Sequence, residues 1–393
     1  MTTTVHHHRW AVMGLATSGG LLGLTITSGL ALVANKLVEE FSHPHILLDS
    51  SIFDWKVPRP LSEPEPAYQR PLLFAASDGT LLSGEFWAQP ESAPTIILCH
   101  GYRASRSHLR SVATLNYACG YNVLLFDFRG HGHSDSVTTS GGNAEVHDLK
   151  AAIAVARLQP ETQASYIILH GFSMGAAVAL LTPLHPDVAA IIADSPYASS
   201  EDILYRLVSY RFERESMAHL PALHPDPRIY SALAWMTLVT SMILFRIRFG
   251  YGFVAHPPAS FKHWREREDR LKRRMFVAGL GQLANRWRGK KESVPPLEQH
   301  HIPILLIHSR QDPLIPFSHA QTIATAAKLN RIPLETYFVD SAAHCGAYGA
   351  NPVEYCQTIR DFLSRALGTA LPEKHGEISA ENLPYSPSEF LSQ

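Results

Sequence analysis

Gly171-Phe172-Ser173-Met174-Gly175 is the stretch on which the reading of this chain turns. It follows the apolar run Tyr166–Leu169 and leads into a small-residue segment that begins Ala176-Ala177. A strand that bends sharply into a helix needs glycine where backbones crowd, because a Cβ there would clash. A serine at such a bend stands at a helix N-terminus, where free N–H groups and the helix dipole favour developing negative charge. Gly-x-Ser-x-Gly alone arises by chance. An apolar strand before it and a helix after it make this instance a nucleophile elbow.

A serine hydroxyl is a weak nucleophile until a base takes its proton. After such an elbow the expected chain order is serine, acid, histidine. Asp312 lies in Ser309-Arg310-Gln311-Asp312-Pro313, just beyond the apolar run Ile304–Ile307. His344 lies in Ala342-Ala343-His344-Cys345-Gly346, just beyond Glu335–Val339. Both positions fall at the carboxyl ends of expected strands. His344 is therefore the candidate base and Asp312 the candidate acid that orients it. Asp194 and Asp202 follow an earlier strand and are rival acids that a turn or helix-capping role explains. Asp340 is too close to His344 along the chain to be the first choice. With 22 histidines in the chain, His344 stands out by position alone. An oxyanion site needs two backbone donors. Met174 N–H, directly after the nucleophile, is one candidate, and Tyr102 N–H, after His100-Gly101, is the other.

Apolar runs alternate with helical patterns on either side of the elbow. Leu72–Ala75 and Leu81–Trp87 flank Asp78-Gly79, a hairpin signal. Thr95–Cys99, Asn122–Phe126, Tyr166–Leu169, Ala189–Ala193, Ile304–Ile307 and Glu335–Val339 read as strands. Ser107–Cys119, Ala144–Leu158, Met174–Leu184 and His319–Leu329 read as helices between them. Near-continuous apolar strands alternating with helices predict a mostly parallel, doubly wound α/β sheet covered on both faces. Ligands bind such sheets at the strands' carboxyl ends. The alternation stops between Pro196 and Pro303, a stretch of helical character too long for a plain connection.

The chain is 393 residues long, 46% hydrophobic, with 34 basic and 35 acidic residues and a net charge of −1. That balance gives no global attraction to nucleic acid. The four cysteines, Cys99, Cys119, Cys345 and Cys356, form no Cys-x-x-Cys pair and suggest neither a zinc ribbon nor a disulfide framework. Charge is uneven locally. From Trp10 to Asn35 no residue is charged, with Arg9 and Lys36 at either end, a length that can cross a bilayer as a helix. A cleaved signal would have a shorter apolar region and a clear cleavage site. Flanking charge is too even to set an orientation. Ile229–Phe245 is a second uncharged run. A second crossing there would separate Ser173 from Asp312 and His344, so a lid, a surface-lying helix or a buried cap helix is expected instead. Phe261–Lys291 carries eleven Lys or Arg against three acidic residues, a basic amphipathic pattern with Trp264 and Trp287 that suits anionic lipid or a solvated face.

His100-Gly101, Asp127-Phe128-Arg129-Gly130-His131-Gly132-His133-Ser134, the elbow, Asp194-Ser195-Pro196-Tyr197, Asp312 and His344 together resemble the α/β-hydrolase superfamily. The likeness is greatest to its bacterial branch with an N-terminal hydrophobic segment, grouped with serine aminopeptidase-like and lysophospholipase-like hydrolases. The resemblance covers about residues 70–200 and 300–365. It implies hydrolysis of an ester, thioester or amide with no cofactor and no metal, and a supporting role for the Arg129–Ser134 loop.

The expected organisation is a transmembrane helix over 10–35, a linker over 36–70 and a hydrolase core over 71–195 and 304–367. A helical cap over 196–303 and a disordered tail over 368–393 complete it. The expected function is a single-pass, membrane-anchored carboxylester hydrolase acting on a small-molecule or lipid acyl substrate, with membrane contact through the N-terminal helix and the basic cap and with no nucleic acid partner. A thioesterase, a peptidase, an acyltransferase and a non-catalytic tethered scaffold are the alternatives. Nothing in the sequence sets an oligomeric state.

Overall fold

The computed structural model describes residues 28–45, 68–182, 186–219, 227–250, 252, 255–257, 302–368 and 372. In chain order the elements begin with a helix over residues 28–42 (α1). There follow β1 (Gln69–Ala75), β2 (Leu81–Trp87), β3 (Ala93–Cys99), α2 (Arg110–Ala118), β4 (Asn122–Phe126) and α3 (Glu145–Arg157). Then come β5 (Thr162–Phe172), α4 (Met174–Leu181), β6 (Val188–Asp194), α5 (Ser200–His219) and α6 (Pro227–Phe249). The chain closes with β7 (Ile304–Ser309), α7 (Phe317–Leu329), β8 (Leu334–Val339), α8 (Ala347–Ala350) and α9 (Pro352–Leu367). The chain divides into two compact units, residues 1–42 with 201–253, and residues 43–200 with 254–393.

The larger unit is built on one eight-stranded sheet in the order β1-β2-β4-β3-β5-β6-β7-β8. β2 pairs antiparallel with β1 and with β4, and every other pairing is parallel. All seven residues of β3 and all five of β4 are buried, as the unbroken apolar runs predict for strands with both faces covered. Ile96, Leu98, Ile168, Ile192 and Ile307 cluster with Val112 of α2 and with Tyr355, Phe362 and Leu363 of α9. Alternation sends Ile97 and Leu169 to the opposite face. Each fully buried Leu, Ile or Phe contributes about 1.5–3 kcal/mol of transfer free energy, so this layered core outweighs any single polar contact in holding the sheet.

β5 extends to Phe172, well past the run Tyr166–Leu169 seen in the sequence. The extension has a cause in pairing. His170 and Gly171 lie between Leu98 and Cys99 on one side and Ile192 and Ala193 on the other, so their backbone groups are satisfied from both neighbours. Parallel pairing brings the ends of β3, β5, β6, β7 and β8 to one edge of the sheet. That edge carries His100, Ser173, Asp194, Asp312 and His344.

The Asp127–Ser134 loop beyond β4 is fastened by ion pairs, of which Arg129–Asp148 is buried on both sides. Arg129 binds Asp148 of α3 at 2.5 Å and Asp78 of the β1–β2 turn at 2.6 Å. Arg106 donates from its backbone and its guanidinium to the two carboxylate oxygens of Asp127, each at 2.7 Å. His133 N–H donates to Asp127 at 3.0 Å.

The smaller unit holds α1, α5 and α6. Leu37 and Val38 of α1 are buried with Leu204 and Val208 of α5 and with Ala234, Leu238 and Phe245 of α6. Glu40 pairs with Arg211 at 2.8 Å, and Glu39 pairs with Arg248. α1 runs unbroken through Lys36 to Ser42, so the expected linker does not start at 36; the apolar spacing of Leu37, Val38 and Phe41 carries the helix on. Residues 10–27 of the expected span, 46–67 of the linker, 258–301 of the cap with its basic run, and most of the tail lie outside the described residues. Arg228–Phe249 is long and apolar enough to cross a membrane by length and composition.

The Arg129–Asp148 pair yields a stability test. The Arg129 side chain is 4% exposed and that of Asp148 is fully buried. Arg129→Met leaves a buried, uncompensated carboxylate, and urea unfolding should show a loss of about 3–5 kcal/mol. The double change Arg129→Met with Asp148→Leu should recover most of it, since a matched apolar pair removes the stranded charge.

Candidate active site

Ser173 sits between β5 and α4 with φ 52° and ψ −113°, a backbone conformation that L-residues rarely adopt. Two bonds hold it there. Its N–H donates to the Asp194 carbonyl at 2.9 Å, and its own carbonyl accepts from Ala177 N–H at 3.0 Å. The flanking glycines are required by close approach. A Cβ at Gly171 would run into the backbone of Gly175 and Ala176. A Cβ at Gly175 would run into the carbonyl oxygens of Cys99 and His100 at the end of β3. The elbow is thereby pressed against the His100-Gly101-Tyr102 turn, so the two segments expected to supply oxyanion donors, at Met174 and Tyr102, are brought together.

His100 is not a surface residue near the site but a fully buried brace. Its Nδ1 bonds the Gly101 carbonyl at 2.8 Å and its Nε2 accepts from Phe128 N–H at 2.9 Å, which assigns the neutral Nδ1–H tautomer. Burial first, and then the neighbouring His131, hold His100 well below the usual imidazole range. His131 in turn accepts from Arg103 N–H at 3.2 Å and bonds the Arg129 carbonyl at 2.8 Å. These histidines tie the turn after β3 to the loop after β4. Among the described residues no group of three or more His, Cys, Asp or Glu side chains could hold a metal ion.

Asp312 and His344 meet across 32 residues of sequence. His344 Nδ1 lies 2.7 Å from Asp312 Oδ2. Asp312 Oδ1 accepts from the backbone N–H groups of Leu314 and Ile315, both at 2.8 Å. Burial opposes ionisation of Asp312, but the His344 bond and these two amides together hold its carboxyl below the usual range. Both residues are nearly enclosed, at 7% and 3% exposure, and Ser173 is at 8%. His344 approaches the elbow through its neighbour. The Cys345 thiol lies 3.6 Å from His344 Nε2 and against the Ser173 backbone. Of the rival acids, Asp340 is an exposed partner of Arg310, and Asp202 lies in the first turn of α5. Asp194 is fully buried beside the site and engages Ser195 and Tyr355.

Sequence reasoning names Asp194 as a rival acid and quotes it with Ser195 in a stretch that resembles the family, but assigns no role to Ser195, Cys345 or Tyr355. Cys345 could have been noticed by its adjacency to His344. Tyr355, on α9 and 161 positions from Asp194, carries no local signal.

Comparison with known proteins follows this geometry. Residues 96–358 match the family model described as "Alpha/beta hydrolase family". YqkD of Bacillus subtilis (strain 168), an uncharacterized protein, is 27% identical over 286 residues, which are 72% of this chain and 75% of that protein. The thiohydrolase apmlB of Arthrinium phaeospermum is 30% identical over 127 residues, 31% of this chain and 41% of that protein. Among solved structures, the Pyrococcus furiosus esterase Pf2001 superposes with a TM-score of 0.51 at 23% identity, covering 77% of this chain and 92% of its own. An elbow on a mostly parallel eight-stranded sheet, joined to a model match spanning most of the chain, makes this protein a member of the alpha/beta hydrolase family.

Proposed function

We propose that this hydrolase cleaves carboxylic esters through Ser173, His344 and Asp312. The observation that carries the reading is the 2.7 Å bond between His344 Nδ1 and Asp312, set on the sheet edge where Ser173 stands in its strained turn. Asp312 fixes the imidazole so that Nδ1 bears the proton and the Nε2 lone pair acts as the base. His344 Nε2 takes the Ser173 hydroxyl proton as Oγ attacks the acyl carbonyl. The oxyanion that forms faces the N–H groups of Met174 and Tyr102, with the dipole of α4 behind it. His344 then gives the proton to the departing alkoxide, leaving an acyl-serine. Water, deprotonated by the same histidine, releases the acid and restores the serine. No cofactor enters this scheme.

A thioester is the second reading. The acyl-enzyme is the same and only the leaving group differs, and the similarity to a fungal thiohydrolase favours testing it.

We also infer attachment to a membrane. Residues 10–35 form an uncharged run whose last residues, 28–35, open α1. Leu32 is 73% exposed there, and Ile229, Trp235, Met236, Ile243 and Ile247 form an exposed apolar stripe along α6. A stripe of that length on one helix face is more than scattered surface residues require. The basic sequence 261–291 supplies charge of the sign that anionic headgroups attract. Location at a bilayer suits a lipophilic acyl substrate.

A fluorophosphonate probe should label the wild-type chain and not Ser173→Ala, and Asp312→Asn should lower kcat on p-nitrophenyl esters by about 10⁴-fold; absence of labelling in folded wild type overturns the hydrolase reading. kcat/KM should rise with acyl chain length, and a short-chain acyl thioester assayed alongside separates the two leaving groups. For the membrane, the full-length chain should stay in the pellet through high salt and carbonate and leave it only with detergent. Recovery in the soluble fraction removes the anchor.

A further inference from the structure

Behind the candidate triad lies a buried polar chain that the proposed mechanism does not use. Asp194 ends β6 and is fully enclosed. Its main-chain carbonyl accepts the Ser173 N–H at 2.9 Å, so it holds the nucleophile turn. Its side chain reaches the opposite way. Oδ1 accepts from the Ser195 hydroxyl at 2.9 Å, and the Ser195 oxygen in turn accepts the backbone N–H of Cys345, the residue after His344, at 3.3 Å. Oδ2 accepts from the Tyr355 hydroxyl of α9 at 3.1 Å, and that hydroxyl lies 3.2 Å from His170 Nε2 of β5.

The direction of this chain follows from its far end. His170 Nδ1 is buried with no hydrogen-bond partner. A buried N–H without a partner is costlier than a buried lone pair, so the His170 proton sits on Nε2. Nε2–H then donates to Tyr355, which leaves the Tyr355 proton for Asp194. Both hydroxyls that reach Asp194 are donors, and a carboxylate can accept from both. The backbone strain at the site points the same way. Ser173, Ser195 and Cys345 have φ of 52°, 53° and 56°, three non-glycine residues in the left-handed region, and each is bonded directly to Asp194 or to Ser195. Such conformations persist only where surrounding bonds over-determine them.

We propose that Asp194 is a positioning residue for the hydrolytic reaction, its carbonyl pinning the Ser173 turn and its carboxylate, through Ser195, pinning the turn that carries His344. The inference rests on the triad reading given above. The ionised form is the one that positions. A neutral carboxyl has one acceptor fewer and must turn its own O–H against Ser195 or Tyr355, each already supplying a proton. Burial pushes the Asp194 carboxyl up to about 6, against the opposing pull of the Ser195 and Tyr355 bonds and of His344. The titratable groups facing it are Tyr337 from β8, Tyr355 from α9, His344 and Cys345 from the loop after β8, and Asp312 from the loop after β7, with His170 of β5 and Cys356 of α9 beside Tyr355. His170 is held neutral at ordinary pH, since burial lowers it to about 3. His308 faces the same group through Asp312, 3.9 Å away.

The test is the pH profile of fluorophosphonate labelling at Ser173, which needs no knowledge of the natural substrate, measured on the full-length chain. Asp194→Asn keeps the shape but loses one acceptor and the charge. Labelling at pH 7.5 should slow by about ten- to a hundredfold, the effect of leaving one buried group unsatisfied. Its acid limb should move to lower pH, because the amide takes up no proton where the Asp194 carboxylate does. Tyr355→Phe keeps the charge and removes one donor, so Asp194 protonates more readily and the acid limb should move to higher pH. Opposite shifts in the two variants support the positioning role, since a loss of packing moves both the same way or neither. Should Asp194→Asn not fold, an upward shift in Tyr355→Phe supports the role and an unmoved profile overturns it. Labelling of Asp194→Asn within about twofold of wild type, with coincident acid limbs, overturns it outright. Failure of wild type itself to label strikes the triad reading instead, so the two are told apart.

Discussion

The closeness of three backbones at one point governs this structure. The turn after β5 packs so tightly against the end of β3 that residue 175 has no room for a Cβ, and residue 171 has none against the start of α4. That crowding forces Ser173 into the left-handed region and leaves its hydroxyl at a helix N-terminus. The strain is sustained by the surrounding sheet, whose central strands are buried on both faces. The core therefore does more than stabilise the fold. It supplies the free energy that holds one residue in an unfavourable conformation.

The remaining parts of the site are positioned by the same edge of the same sheet. Parallel strands deliver His100, Ser173, Asp194, Asp312 and His344 to one rim, and polar braces then fix the loops they head. His100 and His131 bind the turn after β3 to the loop after β4. The Arg129–Asp148 pair fixes that loop to α3. Two backbone amides lock Asp312 before it meets His344. Of the two histidines in the 128–134 loop, His131 is spent on these braces and the His133 side chain is exposed.

The smaller unit follows a different logic. Its helices bury one face of α6 through Ala234, Leu238 and Phe245 while Trp235, Ile243 and Ile247 remain outside. The same unit contains α1, whose first residues, 28–35, end the uncharged N-terminal run.

By itself the sequence determined the strand order of chemistry. The elbow, the placing of Asp312 and His344 after their strands, and the alternation of apolar runs were all local patterns of spacing and composition, and such patterns survive without coordinates. Strand lengths were less legible, because β5 reaches Phe172 only through pairing with two neighbours. The sequence also placed a break at residue 36 where α1 continues, since charge there marks a surface rather than a helix end. What only the tertiary structure decided is which buried polar groups meet. Asp194, Ser195, Cys345, Tyr355 and His170 come from four separate stretches, and nothing in their spacing predicts contact. Local periodicity encodes which face a residue takes, whereas a hydrogen bond needs two atoms about 3 Å apart, and that is settled only when the layers close.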